Sequence, residues 1–228
     1  MARIDASVIV PVWDAPGMLR QTLDSFIEHH RGTRLSVELV LADNGSAPPA
    51  VGVLDAVDWP RVRRVTNATN LGFPRAANQG AAVASGRALV FLNSDVTSSG
   101  AWLEALVDHA GRLCVGQAGP DLMRWPSRLT GLRTPYVSAW CMAIQRDLFE
   151  RIGGFDEAFS PGYSEDQDLG YRLYLAGYDL VRVALPVHHV RGGSGRRRDF
   201  DRDGAIAHGR AVFDAKWGTV CPGQELAP

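Results

Sequence analysis

"ALVFLNSDV", residues 88–96, opens on five consecutive apolar residues, Ala88 to Leu92, and then stops on Asn93, Ser94 and Asp95. A short apolar run bounded by turn residues is the pattern of a strand buried on both faces, as in a parallel sheet covered by helices. Asp95 then falls at the strand's carboxyl end, where open α/β sheets bind their ligands.

The same grammar repeats upstream. Ser7–Val12 (SVIVPV), Leu35–Ala42 and Val62–Thr66 read as strands. Between them lie helical patterns over Pro16–His30, Pro49–Val57 and Phe73–Ser85. The first is opened by proline and places Leu19, Leu23, Phe26 and Ile27 on one face. Strand and helix alternate, which predicts an α/β fold with a mostly parallel, Rossmann-like sheet flanked by helices. Four strands end in polar turns, WDAPG, DNGSAP, NATNLGF and NSDV. The second half is less regular. Helices are expected over Trp102–Gly111, Ser164–Ala176 and Ala205–Trp217, and strands over Tyr136–Gln145, Asp179–Val183 and Val187–His189. Arg191–Asp203 is glycine-rich and charged and is expected to be mobile without a ligand.

With 228 residues and 46% hydrophobic content, the chain suits one domain with a substantial core. It divides into residues 1–96, 97–218 and a tail, 219–228. A formal net charge of −1 gives no global field for nucleic acid or an anionic membrane. No stretch approaches the roughly 18 unbroken apolar residues of a membrane span, and the N-terminus does not read as a signal peptide. A soluble, cytoplasmic protein is expected. Cys114, Cys141 and Cys221 are odd in number and lack metal-type spacing, which predicts reduced, buried thiols.

Each polar turn carries candidate chemistry beside a plainer reading. Asp95 is a metal carboxylate or a turn former, and Asp43 a nucleotide contact or an Asx turn. Gly72 and Phe73 open a helix bearing Arg75 and Asn78, a suitable place for phosphate, although the lysine of a P-loop is absent. Ser164 and Gln167 fit a capping box, and Glu165, Asp166 and Asp168 suit a helix start. In the competing reading, Asp166 is a rigidly held general base kept ionised by the helix N-terminus. His188 and His189 alternate across a strand, so at most one faces a site. The arginines at 196–198 are a solvated loop or a diphosphate clamp.

Taken in order, "SVIVPVWDAPGMLRQTLDS", "VLADNGS", "NLGFPRAANQG", "FLNSDV", "IGGFDEAFSPGYSEDQDLGYRLYLAGYDL", "HHVRGGSG" and "KWG" resemble the family 2 inverting glycosyltransferases of the GT-A fold, and in particular their bacterial rhamnosyltransferase-like branch. The resemblance spans roughly Ser7 to Gly218 and implies a single GT-A domain whose first 96 residues bind nucleotide and whose remainder binds acceptor and carries the base. It implies that Pro11, Val12, Trp13, Asp14 and Asp43 line a nucleoside pocket. Asn70, Gly72, Arg75 and Asn78 would approach ribose and diphosphate. Asn93, Ser94 and Asp95 stand at the family's Asp-x-Asp motif, with Asp95 as metal carboxylate and His189 as the metal-proximal histidine. Asn93 departs from the stricter motif and leaves one carboxylate to do more of the binding. Glu165 and Asp166 match the family's Glu-Asp pair, the second residue being the base, and Trp140, Phe155 and Asp156 would lie towards the acceptor.

The implied reaction is metal-dependent (Mg²⁺ or Mn²⁺) inverting transfer of a sugar from a UDP- or dTDP-sugar to a small-molecule or glycan hydroxyl, with residues 191–200 closing over the donor. A nucleotidyltransferase remains an alternative, as does a non-catalytic nucleotide-sugar or glycan-binding module. The missing lysine after the first strand counts against the nucleotidyltransferase. The lack of an apolar C-terminal extension favours a soluble acceptor.

Overall fold

A computed structural model describes residues 3–126, 133–190 and 200–218. Residues 191–199, with the arginines at 196–198 and the expected closing loop, lie outside the described residues, as do Cys221 and the tail.

The apolar runs form strands β1 (Ala6–Val12), β2 (Val37–Asn44), β3 (Val62–Asn67) and β4 (Ala88–Leu92). These pair in parallel, β1 with both β2 and β4, and β2 with β3. Helices α1 (Pro16–His30), α2 (Pro48–Asp55) and α3 (Phe73–Val83) connect them, and β1, β2 and β4 are buried on both faces as continuous apolar strands require. β5 (Val96–Ser98) and α4 (Leu103–Ala110) follow, then β6 (Val115–Gly119), β7 (Leu122–Pro126), β8 (Arg133–Val137) and β9 (Cys141–Gln145). The chain ends through α5 (Arg146–Ile152), a 3₁₀ turn (Glu157–Phe159), α6 (Glu165–Leu175), β10 (Asp179–Arg182), β11 (Val187–His189) and α7 (Arg202–Trp217). The main sheet has seven strands in the order β10-β6-β9-β4-β1-β2-β3, with β9 antiparallel to both its neighbours.

The expected α/β class and mostly parallel sheet are therefore present. The chain leaves β1 towards β2 on one side while β4 lies on the other, so a topological switch point falls between β1 and β4. Their ladder ends at Ile9 and Phe91. Pro11, which has no N–H to donate, follows that last rung. Beyond it the two strand ends diverge into the polar turns.

Three differences from expectation bear on the site. The strand expected over Tyr136–Gln145 is two strands, because Ser138–Trp140 leave the ladder between β8 and β9. β2 runs two residues further than its apolar run, through Asp43 and Asn44. Ser164 does not cap α6: it takes a left-handed conformation (φ 68) and makes no side-chain cap bond, while Gln167 Nε2 donates to Thr134 Oγ1. β6, with its Gly-Gln-Ala-Gly interior, carried too little apolar signal to be read, and β5, β7, α5 and the 3₁₀ turn were also not expected. Cys114 is an exposed thiol in a turn rather than a buried one, whereas Cys141 is buried.

Helix α7 packs across α6 and is fastened at its end. Asp168 on α6 is fully buried and accepts from Arg172 Nε (2.8 Å), Lys216 Nζ (2.9 Å) and Trp217 Nε1 (2.9 Å). A buried carboxylate with this many charged donors is satisfied; removing one donor would leave it uncompensated.

His30 ends α1 inside the core. Its Nδ1–H donates to the Phe26 carbonyl, and Nε2 accepts from the Trp102 and Leu103 amides at the start of α4. Burial lowers its pKa, because only the neutral ring can accept those bonds. The unfolded chain then binds the proton more readily, so this stabilisation is present above about pH 6.5 and is lost as pH falls below it. Chemical denaturation across pH 7 to 5 is expected to show that loss in the native chain, and the component is expected to be absent in His30→Gln.

Candidate active site

At the switch point a cleft of about 530 Å³ opens. It is lined by Pro11, Val12 and Trp13 after β1, Asn44 at the end of β2, and Asn93, Ser94 and Asp95 after β4. Its far wall comes from Asp121, Tyr136, the Ser138–Trp140 break, and residues 161–167 leading into α6. His189 of β11 and Arg202, Ile206 and Arg210 of α7 complete it.

Asp95 is 2% exposed, and its Oδ1 lies 3.2 Å from His189 Nε2. The antiparallel pairing of β11 with β5 sets this contact by placing His189 opposite Val96. It also turns His188 the other way, opposite Thr97, as strand alternation requires. The His189 imidazole stacks on the Trp140 indole at 4.9 Å, and the indole N–H donates to Asp121 Oδ2 at 3.0 Å. Among the described residues no group of three or more His, Cys, Asp or Glu side chains gathers to hold a metal. Asp95 and His189 offer one carboxylate and one imidazole, a donor set that fits a divalent cation whose remaining positions are filled by ligand oxygens.

Asp166 stands on the first turn of α6. Its Oδ1 accepts from the Gln167 amide (2.8 Å) and its Oδ2 from the Ala139 amide (3.3 Å). Burial outweighs these donors and pushes its carboxyl up to about 6, so the helix N-terminus does not by itself keep it fully ionised as expected. Glu165 beside it is 7% exposed and is raised well above the usual carboxylate range by burial and by Asp166. Tyr163 and Ser164 just before them both take left-handed backbone (φ 72 and 68), a local strain of about 1–3 kcal/mol each that surrounding packing must hold. Gly209 of α7 helps: it lets the helix lie so close to the Tyr163 carbonyl that a side chain there would collide.

The expected site residues divide cleanly. Pro11, Val12, Trp13, Asn70, Asn93, Ser94, Asp95, Trp140, Glu165, Asp166 and His189 all line the cleft, and Asp14, Asp43, Gly72, Arg75, Asn78, Phe155 and Asp156 do not. Because β2 extends through both residues, Asp43 and Asn44 point to opposite faces, and it is Asn44 that reaches the cleft. Asp43 is 1% exposed, accepting from the Ser46 amide in an Asx turn and pairing with Arg64 at 3.1 Å. Asp14 accepts from the Ala47 amide and so braces one turn against the next.

The start of α3 is engaged by the protein itself. Gly72 (φ 90) permits the chain to meet Pro161 closely, and the Phe73 amide donates to the Pro161 carbonyl at 2.9 Å, so the first helical donor is already used. Arg75 pairs with Glu157, and Asp156 with Lys216. Asn78 clamps the backbone of Phe155 at both its N–H and C=O, while the Phe155 ring is buried against Phe73, Phe91 and Phe149.

Sequence reasoning missed Asn44, Asp121, Tyr136, Tyr163 and the α7 face. Only the last left a signal, since Arg202, Ile206 and Arg210 recur every four residues on one side of a helix.

Fold and cleft together define a GT-A type glycosyltransferase architecture. The sequence model for glycosyl transferase family 2 matches residues 7–125, and the chain belongs to that family. It is 30% identical over 230 residues to the O-antigen biosynthesis protein RfbC of Myxococcus xanthus, covering 85% of this chain and 18% of that protein. It is 28% identical over 219 residues to the N-acetylglucosaminyl-diphospho-decaprenol L-rhamnosyltransferase of Mycobacterium tuberculosis, covering 72% of this chain and 70% of that one. Among solved structures, the mannosyltransferase PcManGT from Pyrobaculum calidifontis, in complex with GDP-Man and Mn²⁺, shares the fold with a TM-score of 0.64 at 21% identity, covering 80% of this chain and 55% of that one. GalNAc-T7 with UDP, GalNAc and Mn²⁺ gives a TM-score of 0.65 at 14% identity, with 83% of this chain and 44% of that one covered. No described helix is long and apolar enough to cross a membrane.

Asn78→Ala is expected to lower stability by about 1–3 kcal/mol, because it strands a backbone donor and acceptor around Phe155. Nucleotide affinity of the folded variant, measured by calorimetry, is expected to stay unchanged, which separates the clamp from a ligand contact.

Proposed function

We propose that this chain is a metal-dependent inverting glycosyltransferase that moves a sugar from a UDP- or dTDP-sugar to an acceptor hydroxyl, with Asp166 as general base. The observation that carries this reading is the convergence of the Asp95–His189 pair and Asp166 on one cleft. The Mn²⁺ and nucleotides bound by the mannosyltransferase and by GalNAc-T7 support the cofactor and donor class. Residues 1–96 would supply most of the nucleotide site and residues 97–218 the acceptor side.

Each residue then has a physical task. Trp13 and Asn44 would face the nucleoside. A divalent cation held by Asp95 and His189 would offset the charge that builds on the departing diphosphate. Asp166 would take the proton of the acceptor hydroxyl as it attacks the anomeric carbon from the side opposite the diphosphate, and a single displacement of this kind inverts configuration. Ala139 and Gln167 fix the carboxylate through their amides, so its aim is set by backbone.

Asp166→Asn is expected to lower the transfer rate by about 10²- to 10⁴-fold, the usual worth of a positioned base. Donor affinity is expected to persist, and unchanged turnover would remove Asp166 from the mechanism. A base must be ionised, and burial sets this carboxyl at about 6, so kcat/KM is expected to fall as pH drops through about 6. In Asp95→Asn, the thermal stabilisation given by UDP or dTDP with Mn²⁺ is expected to shrink to that seen with nucleotide plus chelator.

A further inference from the structure

A histidine that holds a metal ordinarily passes its other ring N–H to a carboxylate or a carbonyl, and that bond fixes the plane of the ring. His189 is supported differently. Its Nε2 lies 3.2 Å from Asp95 Oδ1, and among the described residues no hydrogen bond reaches its Nδ1. Backbone support is slight as well, since β11 is three residues long and belongs to a two-stranded sheet with β5. The ladder places the main chain of His189 opposite Val96, but rotation of an imidazole about its last torsion is soft. Another contact has to set the ring.

That contact is the Trp140 indole. The two rings are nearly parallel, 13° apart in plane with centroids at 4.9 Å, so the imidazole cannot turn about that torsion without striking the indole face. The indole is fixed in turn. Its N–H donates to Asp121 Oδ2 at 3.0 Å, and its main chain is pinned where the Trp140 carbonyl accepts the Asn93 amide at 2.8 Å. Asp121 is tied to the same break in the sheet, its carbonyl accepting the Ser138 amide at 3.0 Å. Contacts thus run from Asp121 through the indole to the imidazole and on to Asp95. Charge favours the same order: a carboxylate on the indole N–H enriches the ring face, and an imidazole bound to a divalent cation carries part of the positive charge that such a face attracts.

We propose that Trp140 and Asp121 are positioning residues of the metal site: Asp121 orients the indole, and the indole face holds the His189 imidazole with Nε2 turned to the cation that Asp95 shares. This rests on the reading of Asp95 and His189 as metal ligands. The stack supplies what a hydrogen bond at Nδ1 supplies elsewhere.

The test uses the full chain with whichever of UDP and dTDP raises its melting temperature, and Mn²⁺ binding is followed by electron paramagnetic resonance of the free ion. Trp140→Ala is expected to weaken Mn²⁺ binding by about 10- to 100-fold, the usual loss when a group that orients a metal ligand is removed. Trp140→Phe keeps a ring face for the imidazole and is expected to recover part of that loss. Asp121→Ala leaves the indole without its acceptor and is expected to give a smaller loss in the same direction; it carries the test if Trp140→Ala does not fold. Nucleotide affinity in the presence of chelator, measured by calorimetry, is expected to stay at the native value in all three, which a merely structural role would not allow. Native Mn²⁺ affinity in either alanine variant, no recovery in Trp140→Phe, or a parallel loss of nucleotide affinity would overturn the proposal. Failure of the metal reading looks different: the native chain would bind Mn²⁺ no better than Asp95→Asn does, and the proposal would fall with it.

Discussion

Three residues outside any strand hold the cleft together. Where β8 gives way to β9, the Trp140 carbonyl accepts the Asn93 amide, the Ala139 amide donates to Asp166, and the Trp140 ring lies on His189 while its N–H reaches Asp121. The turn after β4 and the first turn of α6 are distant in sequence and come from different layers. Nothing in the sheet ladder joins them directly, so the break at Ser138–Trp140 fixes one relative to the other. A continuous strand here would have given its amides and carbonyls to the sheet, leaving neither functional turn with a fixed neighbour.

That bridge is built largely from main-chain donors, and this shapes the electrostatics. Backbone amides aim Asp166 without adding positive charge, so burial is free to raise its carboxyl, and burial together with Asp166 raises Glu165 beside it. Elsewhere the protein treats buried acids differently. Asp43 is matched by Arg64, and Glu38 by Ser7, the Ser85 amide and Arg63. Asp168 has Arg172 and Lys216. Each of these three acids has a side-chain cation beside it, whereas Asp166 is met by backbone amides alone among the described residues.

The fold was legible because β1, β2 and β4 are buried on both faces and say so in unbroken apolar runs. That Asp95 and Asp166 reach the cleft was legible for a related reason: one follows the end, and the other stands at the start, of a strongly patterned element. The same rule points to Asp43 at the end of β2, but the strand continues two residues past its apolar run, and one step of alternation sends Asp43 inward and Asn44 to the cleft. Arg75, Asn78 and Phe155 looked like ligand contacts because they sit in motif-rich turns, yet they hold those turns against each other. Asp121 and Tyr136 left no mark, because β6 is rich in Gly, Gln and Ala, and the gap at Ser138–Trp140 is invisible within an otherwise strand-like stretch. Long-range contacts of this kind depend on which turns meet, and local pattern does not encode that.

The fastening of α7 has an evolutionary side. Asp168 secures Lys216 and Trp217 two residues along α6 from Asp166, the proposed base, so the far end of α7 is anchored to the helix that carries that carboxylate. Arg202, Ile206 and Arg210 project from the opposite stretch of that helix and take no part in the anchor. Substitutions at these three positions can therefore reshape the cleft wall while the anchor at Lys216 and Trp217 stays in place, so the opening of the proposed site can vary between relatives without disturbing the helix that bears Asp166.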